Sequence, residues 1–77
     1  MTVTLLLLNN QDRPGMVGKL GTILARHSVN IASMSLGRET AGGSALTVLE
    51  LDNQPSGACL AELQADPAIS NVRVVRL

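Results

Sequence analysis

A short polar segment, Asn9 to Gly15, joins an apolar stretch to an amphipathic one. Pro14 indicates that a helix begins there, and the first turn of a helix presents backbone N–H groups that have no intrahelical partner. Such groups bind carboxylates, whereas Asp12 and the nearby amide oxygens suit an ammonium group. The segment therefore fits a small zwitterion such as an amino acid, although a plain polar turn before a helix has the same composition.

Five residues make up the predicted ligand site. Asn10 and Asp12 flank the expected helix start, Gly15 and Met16 lie at that start, and Asn30 opens the next strand. Each asparagine amide offers a donor and an acceptor, and a carboxylate can pair with an ammonium group. For Asn30 the alternative is a polar residue that merely adjoins a turn.

Groups suited to catalysis or metal binding are few. The single histidine, His27, is expected at a helix end, and the single cysteine, Cys59, is expected to be a small buried hydrophobe. The sequence has no Cys-x-x-Cys or His-x-x-x-His spacing and no nucleotide-binding glycine pattern. We predict no catalytic residue, no metal site and no cofactor. The alternative, a small hydrolase on the same fold, would need an anion-binding arginine, and Arg13, directly before Pro14, is the only candidate.

Length and composition restrict the classes of protein further. The 77 residues indicate one domain over residues 1–77, with six basic and six acidic residues and no aromatic residue. Scattered basic residues without aromatic platforms argue against nucleic-acid binding. The apolar run from Leu5 to Leu8 is far too short to span a bilayer, and no secretory leader is recognisable, so a cytoplasmic protein without a membrane partner is expected. The aliphatic composition favours burial of apolar surface against another chain.

Hydrophobic periodicity and turn residues predict six elements. Gly18 and Gly21 fall three residues apart on one helix face, which predicts close approach of another backbone there. The expected elements are a strand at Thr2–Leu8, a helix from Pro14 to His27, a strand at Val29–Arg38, a hairpin loop at Arg38–Gly43, a strand at Ser44–Leu51, a helix at Ser56–Ala65 and a strand at Ile69–Leu77.

This order predicts an α+β fold of the ferredoxin-like βαββαβ type, a four-stranded antiparallel sheet with two helices on one face. Right-handed crossovers place the first and third strands centrally and leave the second strand at an edge. Because Val29 to Leu36 is nearly uncharged, that edge is suited to pairing with another chain. We predict a homodimer through the second-strand edge and the first helix, in which Asn30 of one chain approaches the first loop of the other.

Three segments resemble the ACT-domain family, namely Asp12 to Gly18, Val29 to Ala32 and the hairpin from Gly37 to Gly43. The likeness covers essentially the whole chain. It is greatest to the C-terminal regulatory domain of D-3-phosphoglycerate dehydrogenases, and the ACT domain of iron–sulfur L-serine dehydratases is a second similar relative.

The resemblance implies an amino-acid sensor that binds L-serine at a dimer interface and controls a dehydrogenase of serine biosynthesis. It assigns the serine contacts to Asn10, Asp12 and Asn30. Asn30 matches the family, Asp12 matches one common version of the motif, and many members carry histidine or tyrosine at the position of Asn10. The domain itself is then non-catalytic and a fragment of a phosphoglycerate dehydrogenase. The alternatives are a ligand-free dimerisation module, the ACT domain of a serine dehydratase and a free-standing ACT protein.

Overall fold

The computed structural model describes residues 3–38 and 43–77, and the predicted βαββαβ order is confirmed. The described strands form an antiparallel sheet in which the order is second, third, first and fourth, so the first and third strands are central and the second is an edge, as predicted. The tip of the expected hairpin loop, residues 39–42, lies outside the described residues. The elements are β1 (Thr4–Gln11), α1 (Met16–Arg26), β2 (Ile31–Arg38), β3 (Ser44–Leu51), α2 (Gly57–Ala65) and β4 (Ile69–Arg76).

The side chains of β1 alternate between the two faces of the sheet. Thr4, Leu6, Leu8 and Asn10 are buried, whereas the residues between them are only partly buried. Successive side chains of a strand point to opposite faces, and β1 is paired with β3 on one side and with β4 on the other. The buried residues of β1 therefore lie on the face that the helices cover, and the opposite face is open.

Both helices contribute to an aliphatic core on the covered face. Ser56 caps α2, because its hydroxyl oxygen accepts a hydrogen bond from the backbone N–H of Cys59 at 3.1 Å. Cys59 is fully buried, as expected for a small hydrophobe, and this burial raises the pKa of its thiol. Neither helix of the described chain is long and apolar enough to cross a membrane. The helical core residues are Met16, Leu20, Ile23 and Leu24 from α1 and Cys59 and Leu63 from α2.

The end of β1 and the start of β2 differ from the prediction, and α1 begins at Met16 rather than at Pro14. Strand β1 continues three residues beyond Leu8, because the backbone of Asn9 to Gln11 keeps its antiparallel pairing with β3. Strand β2 begins at Ile31 because Ser28 takes a left-handed conformation with φ of 59° and the N–H of Val29 still bonds to the carbonyl of Leu24 at 2.9 Å. Polar side chains alone thus did not mark the end of β1.

The packing role predicted for two glycines of α1 is wrong. A Cβ atom at Gly18 or at Gly21 would meet no atom within 4 Å among the described residues, so neither position requires glycine for packing within the chain. Gly15 differs, since it precedes α1 with a φ of 88°. A left-handed conformation of that kind favours glycine, because other residues bring Cβ too close to the backbone.

Alanine substitutions at these glycines should change stability in opposite directions. We expect Gly15→Ala to lower the free energy of unfolding by about 1 kcal/mol, because the side chain is strained at positive φ. Gly18→Ala should raise it by about 0.5 to 1 kcal/mol, because alanine favours the helix and open space surrounds the new methyl group. Urea unfolding followed by circular dichroism measures both, and equal losses in the two variants would contradict the assignment.

Candidate functional site

The loop that precedes α1 is shorter than the polar segment suggested. It comprises Asp12 to Gly15, because Asn9, Asn10 and Gln11 belong to β1. Its base is fixed on two sides. The N–H of Gln11 donates to the carbonyl of Ala68 at 3.0 Å, and the N–H of Asp12 donates to the carbonyl of Gly43 at 2.7 Å. The loop is therefore anchored both to the turn before β4 and to the start of β3.

At the start of α1, Gly15 and Met16 can offer a ligand only their backbone groups. The carbonyl of Gly15 accepts the first bond of α1, from the N–H of Lys19 at 2.9 Å. The side chain of Met16 is buried in the core, so it is not available to a ligand at the loop. Among the described residues no side chain caps the start of α1, and its first turn carries no acidic residue. The N–H of Met16 donates to the carbonyl of Arg13 at 3.4 Å, and the N–H groups that follow it in this turn remain suited to a carboxylate.

Asn10 lies in the core rather than in the loop. Only 4% of the residue is exposed, and its amide oxygen accepts a hydrogen bond from the hydroxyl of Thr47 at 2.6 Å. Its amide nitrogen donates to the carbonyl of Gln11 at 3.1 Å. The expected place of Asn10 in a polar turn was wrong, because the alternation of β1 turns this side chain toward the helices. It is a buried polar pair with Thr47.

Asn10 also lines a small polar cavity at the end of β1. The cavity has a volume of about 540 Å³ and lies where the end of β1 meets the start of β3 and the turn before β4. Sequence patterns did not suggest it, because its walls come from three separated segments. The lining residues are Asn10, Gln11, Gly43, Ser44, Pro67, Ala68 and Ser70.

Asn30 is exposed and is held by the turn after β3. Its carbonyl accepts from the N–H of Asp52 at 3.0 Å, and its own N–H donates to the side-chain oxygen of Asn53 at 3.2 Å. The amide nitrogen of Asn53 donates to the carbonyl of Ser28 at 3.1 Å. The side-chain amide nitrogen of Asn30 donates to a carboxylate oxygen of Asp52. Asn30 therefore has a fixed backbone and a fixed amide orientation.

Within one chain, Asn30 and the loop lie at opposite ends of the sheet. Ile31 is aligned with Leu51, which pairs with Thr4 at the start of β1, whereas Gln11 is at the other end of that strand. Seven residues at about 3.3 Å each separate the two ends by about 23 Å. A single chain thus brings Asn10, Asp12 and Gly15 together and keeps Asn30 apart from them.

Ion pairs between the two helices were missed by the sequence interpretation. Lys19 contacts Asp66 at 2.5 Å, and Glu62 contacts both Arg26 and His27, the latter at 2.8 Å. These pairs border an open groove of about 680 Å³ between α1 and α2. The sequence did carry a sign of these pairs, because the basic residues Lys19 and Arg26 are seven residues apart and the acidic residues Glu62 and Asp66 are four apart. His27 caps the C-terminus of α1, which is the helix end predicted for it.

The sequence profile of the ACT domain matches residues 4–68. The chain belongs to the ACT-domain family. This ACT domain is 34% identical over 73 residues to the D-3-phosphoglycerate dehydrogenase of Bacillus subtilis (strain 168), covering 95% of the chain and 14% of that protein. It is 37% identical over 68 residues to the enzyme of Synechocystis sp., covering 88% of the chain and 12% of that protein.

Solved structures share the fold of this ACT domain. A homoserine dehydrogenase from Thiobacillus denitrificans superposes with a TM-score of 0.75 and 23% identity, over 100% of this chain and 18% of that one. The ACT domain of the GTP pyrophosphokinase of Chlorobium tepidum superposes with a TM-score of 0.71 and 13% identity, over 95% of this chain and 96% of that one. The chain spans only 12% to 14% of the length of the two D-3-phosphoglycerate dehydrogenases.

The buried pair of Asn10 and Thr47 can be tested through stability. Thr47→Val should lower the free energy of unfolding by about 1 to 3 kcal/mol, because the amide oxygen of Asn10 loses its donor while remaining buried. Adding Asn10→Leu should recover part of the loss, since both polar partners are then absent. Denaturant unfolding of the two single variants and the double variant gives the coupling. Strictly additive losses would show that the pair does not interact.

The pKa of Asp66 reports the contact between its carboxylate and Lys19. A hydrogen bond from Lys19, with a second from the backbone N–H of Ala68, lowers this pKa below the ordinary value. A lowered folded-state pKa stabilises the protein above the unfolded-state pKa, and this contribution is lost as the pH falls through the folded-state value. Lys19→Met should therefore raise the Asp66 pKa, and its stability deficit should shrink on acidification. Carboxyl NMR titration measures the shift, and an unchanged pKa would refute the contact.

Proposed function

We propose that this ACT domain is a regulatory amino-acid sensor that binds L-serine at an interface between two copies. The coarse role rests on membership of the ACT-domain family and on likeness to one region of D-3-phosphoglycerate dehydrogenases. The observation that carries the proposal is the separation of Asn30 from the loop. If both belong to one ligand site, that site requires a second chain.

Pairing of two β2 edges would complete such a site. In an antiparallel pair of β2 strands, the start of one strand lies beside the end of the other, and the end of β2 is at the same end of the sheet as Gln11. Asn30 of one copy would then approach the loop of the other. The outer side of β2 has no neighbouring strand among the described residues, which leaves it available for pairing.

Surface features of β2 and α1 support this interface. Val17 on α1 is 57% exposed and Leu36 on β2 is 39% exposed, both high for aliphatic residues of a small domain. Burial of both side chains against a second copy would remove this apolar surface from water.

The proposed ligand contacts follow from the chemistry of each group. The N–H groups at the start of α1 bind the serine carboxylate, and Asp12 pairs with its ammonium group. Asn30 of the other copy closes the site, and Asn10 supports the strand end beneath it. Because the ligand contacts two chains, its binding favours one arrangement of the pair, and that preference passes to the chains to which the domains belong.

The attached enzyme is part of the proposal as well. We infer a non-catalytic regulatory domain of a cytoplasmic D-3-phosphoglycerate dehydrogenase, in which serine controls its own biosynthesis. A ligand-free dimerisation module is the second candidate. It is favoured by one observation, namely that the amides of Asn10 and Asn30 already have hydrogen-bond partners within the chain.

Calorimetry with mixed variants tests both the ligand and the shared site. L-serine should give saturable heat with the wild-type chain and little heat with Asp12→Ala or Asn30→Ala alone. Equilibrating the two variants together should restore binding to about a quarter of the sites, because half of the dimers are mixed and each mixed dimer has one intact site.

Two results would contradict this account. Absence of heat in a folded wild-type dimer at millimolar serine would favour the ligand-free module. Binding that is lost in both variants but is not restored by mixing would place the whole site within one chain. Glu50→Gln, a charge removal on the open sheet face, is the matched control and should bind like the wild type.

A further inference from the structure

Asp52, in the turn after β3, holds the side-chain amide of Asn30. Its carboxylate accepts from the side-chain amide nitrogen of Asn30, and both residues are exposed. A carboxylate accepts hydrogen bonds only, so it selects the nitrogen end of the amide and leaves the oxygen end pointing elsewhere. The orientation of an asparagine amide is otherwise set by whatever surrounds it.

The backbone around Asn30 is held independently of this side-chain contact. The carbonyl of Asn30 accepts from the N–H of Asp52 at 3.0 Å, which extends the pairing of β2 with β3 by one residue. Asn53 bonds to the N–H of Asn30 at 3.2 Å and to the carbonyl of Ser28 at 3.1 Å. Three hydrogen bonds thus fix the position from which the Asn30 side chain projects, and Asp52 adds the orientation of the amide.

We propose that Asp52 is a positioning residue that makes the Asn30 half of the site specific for an ammonium group. With its nitrogen end directed at Asp52, Asn30 presents an acceptor oxygen to the ligand, and the carboxylate behind it adds negative charge. An acceptor with negative charge nearby favours an ammonium group over a hydroxyl and disfavours a carboxylate. This inference rests on the proposed amino-acid site and assigns its selectivity to a particular side chain.

An acceptor at Asn30 also sets the direction in which the ligand binds. The ammonium group would lie between Asp12 of one copy and Asn30 of the other, while the carboxylate meets the start of α1. A hydroxy acid of the same shape keeps the carboxylate contacts but loses the charge-assisted ones. L-serine and glycerate form a matched pair of probes, because glycerate has a hydroxyl in place of the ammonium group.

Titration calorimetry of both probes against variants of the 77-residue chain tests this role. The wild type should bind serine at least about 100-fold more tightly than glycerate. Asp52→Asn should reduce that ratio by about tenfold, because the carboxylate charge is removed and the amide of Asn30 loses its fixed direction. Asn53→Ala, which loosens only the backbone at Asn30, should weaken the binding of serine and of glycerate alike. Glu50→Gln should leave the ratio of the two affinities unchanged.

The side-chain amide resonances of Asn30 give a readout that needs no ligand. In the wild type, one of its two amide protons should be shifted by the bond to Asp52 and should exchange slowly with water, and Asp52→Asn should abolish both effects. Serine binding with an unchanged serine-to-glycerate ratio in Asp52→Asn would overturn the inference and leave the proposed function standing. Failure of the wild type to bind serine would overturn both.

Discussion

The parallel relation of β1 and β2 is the constraint on which the candidate site depends. Both strands are antiparallel to β3, so they run in the same direction and their starts lie at the same end of the sheet. Helix α1 returns the chain from the end of β1 to the start of β2, as any right-handed crossover between parallel strands must. Residues just after β1 and residues just before β2 are therefore held at opposite ends, whatever their identity. A ligand that contacts both groups has to be shared between chains.

This constraint gives the domain a simple means of regulation. A site within one chain would stabilise that chain, whereas a shared site stabilises one arrangement of two chains. The core beneath it is entirely aliphatic apart from Cys59 and a few polar groups, and the buried pair of Asn10 and Thr47 fixes the end of β1 within that core. The loop is tied at its base to Gly43 and to the turn before β4. In the proposed dimer, the loop would keep its place and serine would act on the relative position of the two chains.

The order of elements, the central strands and the edge could be predicted because they depend on periodicity and chain connectivity. Ends of elements were less predictable, as Asn9 to Gln11 show. Backbone pairing with β3 continued through polar side chains, and the partner of Asn10 is 37 residues away in sequence. Gly18 and Gly21 suggested close packing, but the open space beside them becomes evident only in three dimensions. The hydrogen bonds of Asn30 with Asp52 and Asn53 were equally unpredictable, because they join residues that are distant in sequence and meet only when β2 pairs with β3.

In the proposed dimer, Asn30 of one copy lies beside the loop of the other, and a paramagnetic label on that loop measures this proximity directly. One chain carries a nitroxide at the exposed position 13, attached through Arg13→Cys in a Cys59→Ala background, and has no isotope label. It is mixed with a wild-type chain that carries the isotope label and no nitroxide. In the presence of serine, the account predicts selective broadening of the Asn30 amide and its neighbours at the start of β2. Because only the isotope-labelled chain gives a signal, such broadening must come from the nitroxide on the other copy. Broadening that spares Asn30 while affecting other parts of the chain would contradict the shared site.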